Sequence, residues 1–279
     1  EISACLVGSE MCIRDRNMSK LLDMFAQARR GQGGSGMGFL GKNKTEAKPR
    51  AAAIVVEFAA LDAGSAEAAT KAGADGLLFA WDGNGRADPE TIKAATDAAK
   101  ASNEKIICGL HLAGDLNSLS RENLDQFKEQ GISYFVLPLQ APARLLALHV
   151  KDVDTVVTVP MREDDIETYL LLIRHLSAFD TIAAVALDFA LSDDFSHLTI
   201  EEVLQYRAVR DAVRAPAMIH VEGKLSEPDA YTLTALGVQA LIVPASDTES
   251  ATEEIISSLR EILEKVHQEE KENTQTSKL

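Results

Sequence analysis

Short runs of aliphatic residues alternate with longer amphipathic segments from residue 52 onwards. The short runs are continuous, which is typical of parallel strands covered on both faces. In the longer segments apolar residues recur every three or four positions, as on one face of a helix. The pattern predicts eight strands, each followed by a helix, with the strands at 52–58, 76–80, 105–110, 134–137, 155–159, 182–188, 217–221 and 240–243.

Capping residues mark where several of the predicted helices begin and end. Pro89 is expected in the first turn of one helix, because proline needs no hydrogen-bonded N–H there. Ser120 and Thr199 each precede a helix and are followed within a turn by acidic residues. Glycines are expected just past the ends of three helices, at Gly73, Gly131 and Gly237.

Eight β/α units in one chain favour a closed barrel. About 260 residues remain after the first 17, which matches the roughly 250 residues that are typical of this architecture, and the barrel would occupy residues 51–266. An open, doubly wound sheet shares most of the local features and stays the alternative. The sequence therefore predicts an α/β fold, a (β/α)8 TIM barrel with a short N-terminal helical arm.

The predicted arm and linker cover residues 18–50. Leu21, Leu22, Phe25 and Ala28 recur at helical spacing, and a glycine-rich stretch follows at 31–38. We expect copies of the chain to associate into a homo-oligomer through this arm. At the other end, residues 267–279 include the charged run 269–272 and are predicted to be a disordered acidic tail.

Residues 6–16, LVGSEMCIRDR, resemble one translated reading frame of a sequencing adapter. We therefore interpret residues 1–17 as non-native, with Met18 as the expected start. A signal peptide is the alternative, but charges such as Glu10 and Arg14 interrupt its apolar core. Outside this region Cys108 is the only cysteine, which excludes a disulfide framework there and predicts a cytoplasmic protein.

Charge and hydropathy exclude two classes of partner. The formal net charge of −15 would repel a phosphate backbone, so we expect no nucleic acid partner. No apolar run approaches the roughly 20 residues that a membrane span needs, so we expect no membrane partner. A small-molecule substrate is the expected ligand.

Ionisable residues stand at the predicted carboxyl ends of several strands, where the active sites of such barrels lie. They are Glu57, Asp82, His111, Asp188 and Glu222. Converging carboxylates repel one another unless a cation neutralises them, which predicts a divalent Mg²⁺, Mn²⁺ or Zn²⁺ bound by Asp188 and Glu222. The alternative is that these acids are separate and cap neighbouring helices or loops.

Two C-terminal segments, His220–Asp229 (HVEGKLSEPD) and Leu236–Val243 (LGVQALIV), carry a family resemblance. They resemble strands seven and eight of the aldolase-type and phosphate-binding barrels. The resemblance implies substrate binding at the turns after these strands, where backbone N–H groups hold a phosphate in those families. Gly223 stands at one turn glycine, but Lys224 replaces the next, and the glycine turn after strand eight is replaced by Pro244, Ala245 and Ser246.

We therefore expect a lyase or isomerase that acts on a small carbonyl or carboxylate compound. Glu57, His111, Asp188 and Glu222 are the expected catalytic residues, and Asp82, Lys224 and Ser246 the expected substrate contacts. The loop at 191–197 is the candidate lid. A barrel without catalysis, serving as a binding or assembly protein, is the alternative.

Overall fold

Eight parallel strands close into a barrel, in which each strand pairs with the next and β8 pairs with β1. The computed structural model describes residues 19–30, 48–83, 89–162, 164–189, 198–222 and 225–276. The strands are β1 (Ala53–Phe58), β2 (Gly76–Trp81), β3 (Ile107–Leu112), β4 (Ile132–Pro138), β5 (Asp154–Pro160), β6 (Ile182–Asp188), β7 (Ala217–His220) and β8 (Ala240–Pro244). The predicted (β/α)8 TIM barrel is confirmed.

A helix precedes β1 and at least one helix follows every strand. The helices are α1 (Lys20–Arg30), α2 (Ala63–Ala72), α3 (Pro89–Ser102), α4 (Arg121–Glu129), α5 (Arg144–Ala147), α6 (Ile166–Arg174), α7 (Ile200–Val213), α8 (Glu227–Ala235) and α9 (Glu249–Thr276). Short 3-10 turns occur at Leu116–Ser118 and His175–Ala178. None of the helices within the described residues is both long and apolar enough to cross a membrane.

The predicted capping residues are confirmed. Ser120 and Thr199 each form a capping box with the residue three positions later, so two N–H groups at each helix start are satisfied. Gly73 adopts a left-handed backbone at the end of α2, with φ of 105°. Gly131 and Gly237 do the same after α4 and α8. These local signals set the helix boundaries independently of the barrel.

Strand β3 lies two residues later than predicted, which changes the position of His111. The chain from Asn103 to Lys105 forms a turn, in which the N–H of Lys105 bonds to the side-chain oxygen of Asn103. The N–H of Ile106 bonds to the main-chain oxygen of the same Asn103. Because both N–H groups bond within the turn, the strand begins at Ile107, and His111 lies inside it.

Apolar side chains fill the interior of the barrel. The buried interior residues are Ala53, Val55, Leu78, Ile107, Tyr134, Val136, Val156, Ala184, Ala186, Met218, Ala240 and Ile242. Tyr134 is the largest of them, and its hydroxyl donates to the carbonyl of Leu77 at 2.9 Å. Gly109 is paired with Tyr134 on the neighbouring strand, and the Tyr134 ring fills the space that a side chain at position 109 would need. The interior is thus a packed core rather than a pore.

The arm helix α1 closes the N-terminal end of the barrel. Its residues Leu21, Met24, Phe25 and Ala28 are buried and join the interior cluster. Asp154, the first residue of β5, accepts hydrogen bonds from the Ser19 hydroxyl at 2.8 Å and the Leu21 N–H at 3.2 Å. The apolar face of the arm is therefore used within the chain, and Leu22 is left on its outer side.

The tail differs from its prediction. We expected disorder from residue 267, but α9 continues as a helix to Thr276. Val266 and Leu263 pack into the core, so the helix is already formed when it reaches residue 267. The following residues include Gln, Glu and Lys and no glycine or proline, and extending an existing helix through such residues costs little free energy.

Replacing Gly109 with alanine tests how tightly the interior is packed. The added methyl would overlap the Tyr134 ring, so Gly109→Ala is expected to lower the free energy of unfolding by about 1–3 kcal/mol or more. The matched control is Gly76→Ala, where the nearest atom is the flexible Met24 sulfur at 3.0 Å. Urea denaturation of both variants should show the larger loss at Gly109. Equal losses would contradict this account of the packing.

Candidate active site at the carboxyl end of the barrel

Three ionisable side chains from three strands meet at the carboxyl end of the barrel: Glu57 of β1, His111 of β3 and His220 of β7. Each lies two residues beyond an interior position, namely Val55, Gly109 and Met218. Because side chains alternate along a strand, all three face the interior above the apolar core.

One carboxylate lies between two imidazoles. Glu57 Oε1 lies 2.6 Å from His111 Nδ1, and Glu57 Oε2 lies 3.4 Å from His220 Nδ1. The two imidazole centroids are 6.2 Å apart. The exposed fractions of the side chains are 20% for Glu57, 27% for His111 and 23% for His220. The group is thus shielded by the barrel wall, but a solute can still reach it.

The histidines keep Glu57 ionised. Burial acts to raise the pKa of this carboxyl, but the His111 hydrogen bond and the attraction of either imidazole when it is protonated outweigh burial and lower the pKa from its usual value. An ionised carboxylate can only accept hydrogen bonds, so His111 must carry its proton on Nδ1. In the neutral form of this imidazole, Nε2 carries the lone pair.

His220 is held in its neutral form. Burial lowers its pKa below the usual value, and the neighbouring His111 lowers it further. The carboxylates of Glu57, Asp188 and Glu222 act in the opposite direction without overcoming burial. The two histidines of the site therefore share one carboxylate, and His220 is also affected by Glu222, which follows it, and by Asp188, which ends β6.

Asp188 and Glu222 lie at the rim. Asp188 is the last residue of β6 and Glu222 follows β7, and both are exposed. Both carboxylates lie near enough to His220 for their charges to raise the pKa of that imidazole. Asp82 follows β2 directly. Within the described ranges, no group of three or more His, Cys, Asp or Glu side chains is placed to hold a metal ion.

Substrate contacts were expected in the segments after β7 and β8, and the structure describes only part of these segments. The N–H of Ala245 donates to the carbonyl of Glu57 at 2.8 Å, and the N–H of Ser246 donates to Thr252 Oγ1 at 3.0 Å. These backbone donors are thus engaged within the chain, unlike those of a phosphate cradle. Gly223, Lys224, the loop at 191–197, the glycine stretch at 31–38 and residues 1–18 lie outside the described residues.

His220 is the site residue that our sequence reasoning missed as a candidate. We considered it only as the first residue of the segment that resembles strand seven. The signal was present, since a histidine two residues beyond the interior Met218 must face inward. Thr158 shares this interior orientation on β5, and its buried hydroxyl has no hydrogen-bond partner among the described residues. Cys108 is buried against the helices, and burial raises the pKa of its thiol to about 12.

Comparison with solved structures supports the fold. The chain is similar to a thiamine phosphate pyrophosphorylase from Pyrococcus furiosus, with a TM-score of 0.54 and 11% identity over 78% of this chain and 98% of that one. It is also similar to the (S)-3-O-geranylgeranylglyceryl phosphate synthase of Thermoplasma acidophilum, with a TM-score of 0.55 and 15% identity over 89% and 99% of the two chains.

The tryptophan synthase α-subunit of Pyrococcus furiosus gives a TM-score of 0.55 at 14% identity, over 75% of this chain and 98% of that subunit. Neither a scan of protein-family models nor a search of curated proteins gives a match. At these identities the likeness is one of fold, and the chemistry has to be argued from the residues at the mouth.

The lowered pKa of His220 predicts a loss of stability in acid. Its neutral form contributes stability that is fully present above the usual value of 6.5 and is lost as the pH falls below it. Urea midpoints measured at about pH 7.5 and about pH 5.5 should fall with acidification, and by less in His220→Gln. The control is Thr158→Val, which changes no ionisable group on the interior wall. An unchanged pH dependence in His220→Gln would show that this imidazole is not held neutral.

Proposed function

We propose that the barrel is an enzyme that moves a proton at the carbon next to the carbonyl group of a small compound, as an isomerase or a carbon–carbon lyase. The observation that carries this proposal is the Glu57 carboxylate between two imidazoles at the carboxyl end of the barrel. Histidine is the side chain most often used for general acid–base catalysis, and a hydrogen-bonded carboxylate can orient it.

His111 is the proposed base. Its Nδ1–H donates to Glu57, which orients the ring and leaves Nε2 free to accept a proton from the substrate. After that transfer the imidazole is positively charged, and the nearby carboxylate stabilises the charge. The short 2.6 Å contact between Nδ1 and Oε1 makes Glu57 the residue that positions this base.

His220 is proposed to hydrogen-bond the substrate oxygen. A neutral imidazole presents one N–H group and one lone pair, and the lowered pKa keeps His220 neutral at neutral pH. Neutral histidine can polarise a carbonyl without adding a second positive charge beside the base. The Asp188 and Glu222 carboxylates at the rim complete an acidic mouth, which favours an uncharged carbonyl compound over an anionic carboxylate.

In an isomerisation the substrate C–H proton passes to His111 Nε2, and the C–H electron pair forms an enolate. In a 2-hydroxycarbonyl substrate, the hydroxyl proton then moves to the oxygen of the former carbonyl group through His220, which donates one proton and accepts the other. The imidazolium of His111 returns its proton to the former carbonyl carbon, which gives the rearranged product. In the lyase direction, His111 removes a hydroxyl proton, the adjacent carbon–carbon bond breaks, and its electron pair forms the enolate. The imidazolium then protonates that enolate, so no oxidant or reductant is consumed.

The alternative of a barrel without catalysis would gain support if an apolar group blocked the mouth. Trp81 does not do so, because its ring packs edge-to-face on Phe127 of α4 at 5.7 Å. The arm packs against the opposite, N-terminal end of the barrel. Phe195, a third candidate to block the mouth, lies outside the described residues. These contacts favour the enzyme.

Exchange of substrate protons for solvent deuterium tests the proposed base. In D2O, wild-type protein should introduce deuterium next to the carbonyl of a responsive member of a panel of hydroxyketones, aldehydes and 2-oxo acids, followed by proton NMR. His111→Gln should slow this exchange at least about a hundredfold, because general acid–base catalysis contributes that much or more. The control is His175→Gln, an exposed histidine at the end of α6. Equal exchange in wild type and His111→Gln would contradict the assignment.

We also propose that the rim can hold a divalent cation through Asp188 and Glu222. A ligand at roughly one hundred times its Kd stabilises the native state by about 2.7 kcal/mol, which a thermal shift detects. Mg²⁺, Mn²⁺ or Zn²⁺ should raise the Tm of wild type, but not of Asp188→Asn/Glu222→Gln. The control pair is Glu253→Gln/Glu254→Gln on the exposed side of α9. No shift with any of the three ions would leave the metal-free proton transfer as the proposal.

A further inference from the structure

Four inward-facing side chains form one layer at the carboxyl end of the barrel. In barrels of this kind, the four residues of a layer come from alternate strands. Glu57, His111 and His220 come from β1, β3 and β7, which leaves β5 as the fourth odd-numbered strand. Thr158 lies two residues beyond the interior Val156 on β5, just as the other three lie two residues beyond interior positions. Thr158 is therefore the fourth member of this layer.

Barrel closure places Thr158 opposite Glu57. Three strands separate β1 from β5 in either direction around the closed barrel, and the same holds for β3 and β7. The two imidazoles therefore face each other across the mouth, with their centroids 6.2 Å apart. Glu57 contacts both of them from one side. The gap between His111 and His220 is thus bounded by Glu57 on one side and by Thr158 on the other.

The Thr158 hydroxyl has no hydrogen-bond partner in the parts of the chain that the structure describes. Its oxygen is buried, whereas the residue as a whole is partly exposed, so the exposure belongs to the other atoms of the residue. A buried hydroxyl without a hydrogen bond destabilises the folded state, and valine would fill the same space without that loss. Rotation about the Cα–Cβ bond moves the hydroxyl into the place of a more exposed group. The hydroxyl is therefore placed to bind a ligand rather than to stabilise the wall.

The neighbouring layers offer no second hydroxyl. Inward-facing positions on the even-numbered strands lie just below and just above this layer. Those below are Leu78, Val136, Ala186 and Ile242, and those above are Ala80, Pro138, Asp188 and Pro244. Apart from the Asp188 carboxylate at the rim, these side chains are apolar. Among these described strand positions, Thr158 is the one hydroxyl beside the imidazoles.

We infer that Thr158 binds the hydroxyl group of a 2-hydroxycarbonyl substrate and makes the site selective for hydroxyketones and hydroxyaldehydes. This inference rests on the proposed function, in which His111 is the base and His220 hydrogen-bonds the carbonyl oxygen. The two oxygens of such a substrate lie on adjacent carbons, so the second oxygen meets a group next to His220 in the layer. Glu57 is already paired with both imidazoles, and the group left without a partner is Thr158.

A threonine hydroxyl suits this contact because it both donates and accepts a hydrogen bond. It can therefore hold the substrate hydroxyl while the proton of that hydroxyl passes to His220. A ketone without the hydroxyl would leave Thr158 unpartnered, and a site built to bind a hydroxyl discriminates against an analogue that lacks it.

Binding of two ketones of similar size tests the selectivity without turnover. Hydroxyacetone carries a hydroxyl where butanone carries a methyl group. NMR titration of His111→Gln, in which exchange is suppressed, should show tighter binding of hydroxyacetone than of butanone. Adding Thr158→Val should weaken hydroxyacetone binding about five- to tenfold, as expected for one lost hydrogen bond, and leave butanone binding unchanged. Adding Thr158→Ser should keep the preference. Equal binding of the two ketones, or a preference that Thr158→Val leaves intact, would overturn the inference.

Deuterium exchange separates a failure of this inference from a failure of the proposed function. In an otherwise wild-type chain, Thr158→Val should slow exchange into hydroxyacetone about five- to tenfold and leave exchange into butanone unchanged. The matched control is Thr155→Val, on the helix-facing side of the same strand, which should change neither rate. Selective binding without exchange in wild type would overturn the proposed base and keep Thr158 as the hydroxyl contact. Exchange that Thr158→Val slows equally for both ketones would overturn that contact and keep the base.

The stability of Thr158→Val shows whether the hydroxyl is structural. Because the variant removes an unpartnered hydroxyl and keeps the volume of the side chain, its urea midpoint should equal or exceed that of wild type. A clearly lower midpoint would show that the hydroxyl is bonded within the wall, and the inference would then be overturned.

Discussion

The filling of a closed barrel is the constraint from which the rest of this structure follows. Eight strands that close on one another enclose a narrow volume, and apolar side chains occupy it up to the level of Val136 and Ile242. Tyr134 takes much of that space and needs a glycine, Gly109, opposite its ring. The arm helix α1 covers the N-terminal end, so the carboxyl end is where inward-facing polar groups can meet solvent.

At that end, the Glu57 carboxylate lies beside two imidazoles and sets the hydrogen bonding of the site. Glu57 would be costly to ionise in a half-buried position without the two imidazoles beside it. In return it fixes the tautomer of His111 and leaves that ring with an accessible lone pair. His220 faces the same carboxylate, but burial lowers the pKa of its imidazole, which is why we propose that it hydrogen-bonds the substrate in its neutral form.

The helices that cover the barrel bury one side against the strands and expose the other. Their inner faces bury the outward-pointing side chains of the strands, as Val209 and Val213 do in α7. On α6 and α7 the outer sides also carry exposed apolar side chains, among them Leu171 and Leu204.

The sequence by itself determined the eight β/α units and the helix caps such as Thr199, and it predicted Glu57 and His111 as site residues, because these depend on local periodicity and on contacts within a few residues. Only the tertiary structure decided that Glu57, His111 and His220 meet, since barrel closure sets the pairing of β1 with β8 and hence the distances across the mouth. It likewise decided that the arm packs under the barrel and that α9 continues past residue 267. Those outcomes depend on contacts between residues far apart in the chain, which local patterns do not specify.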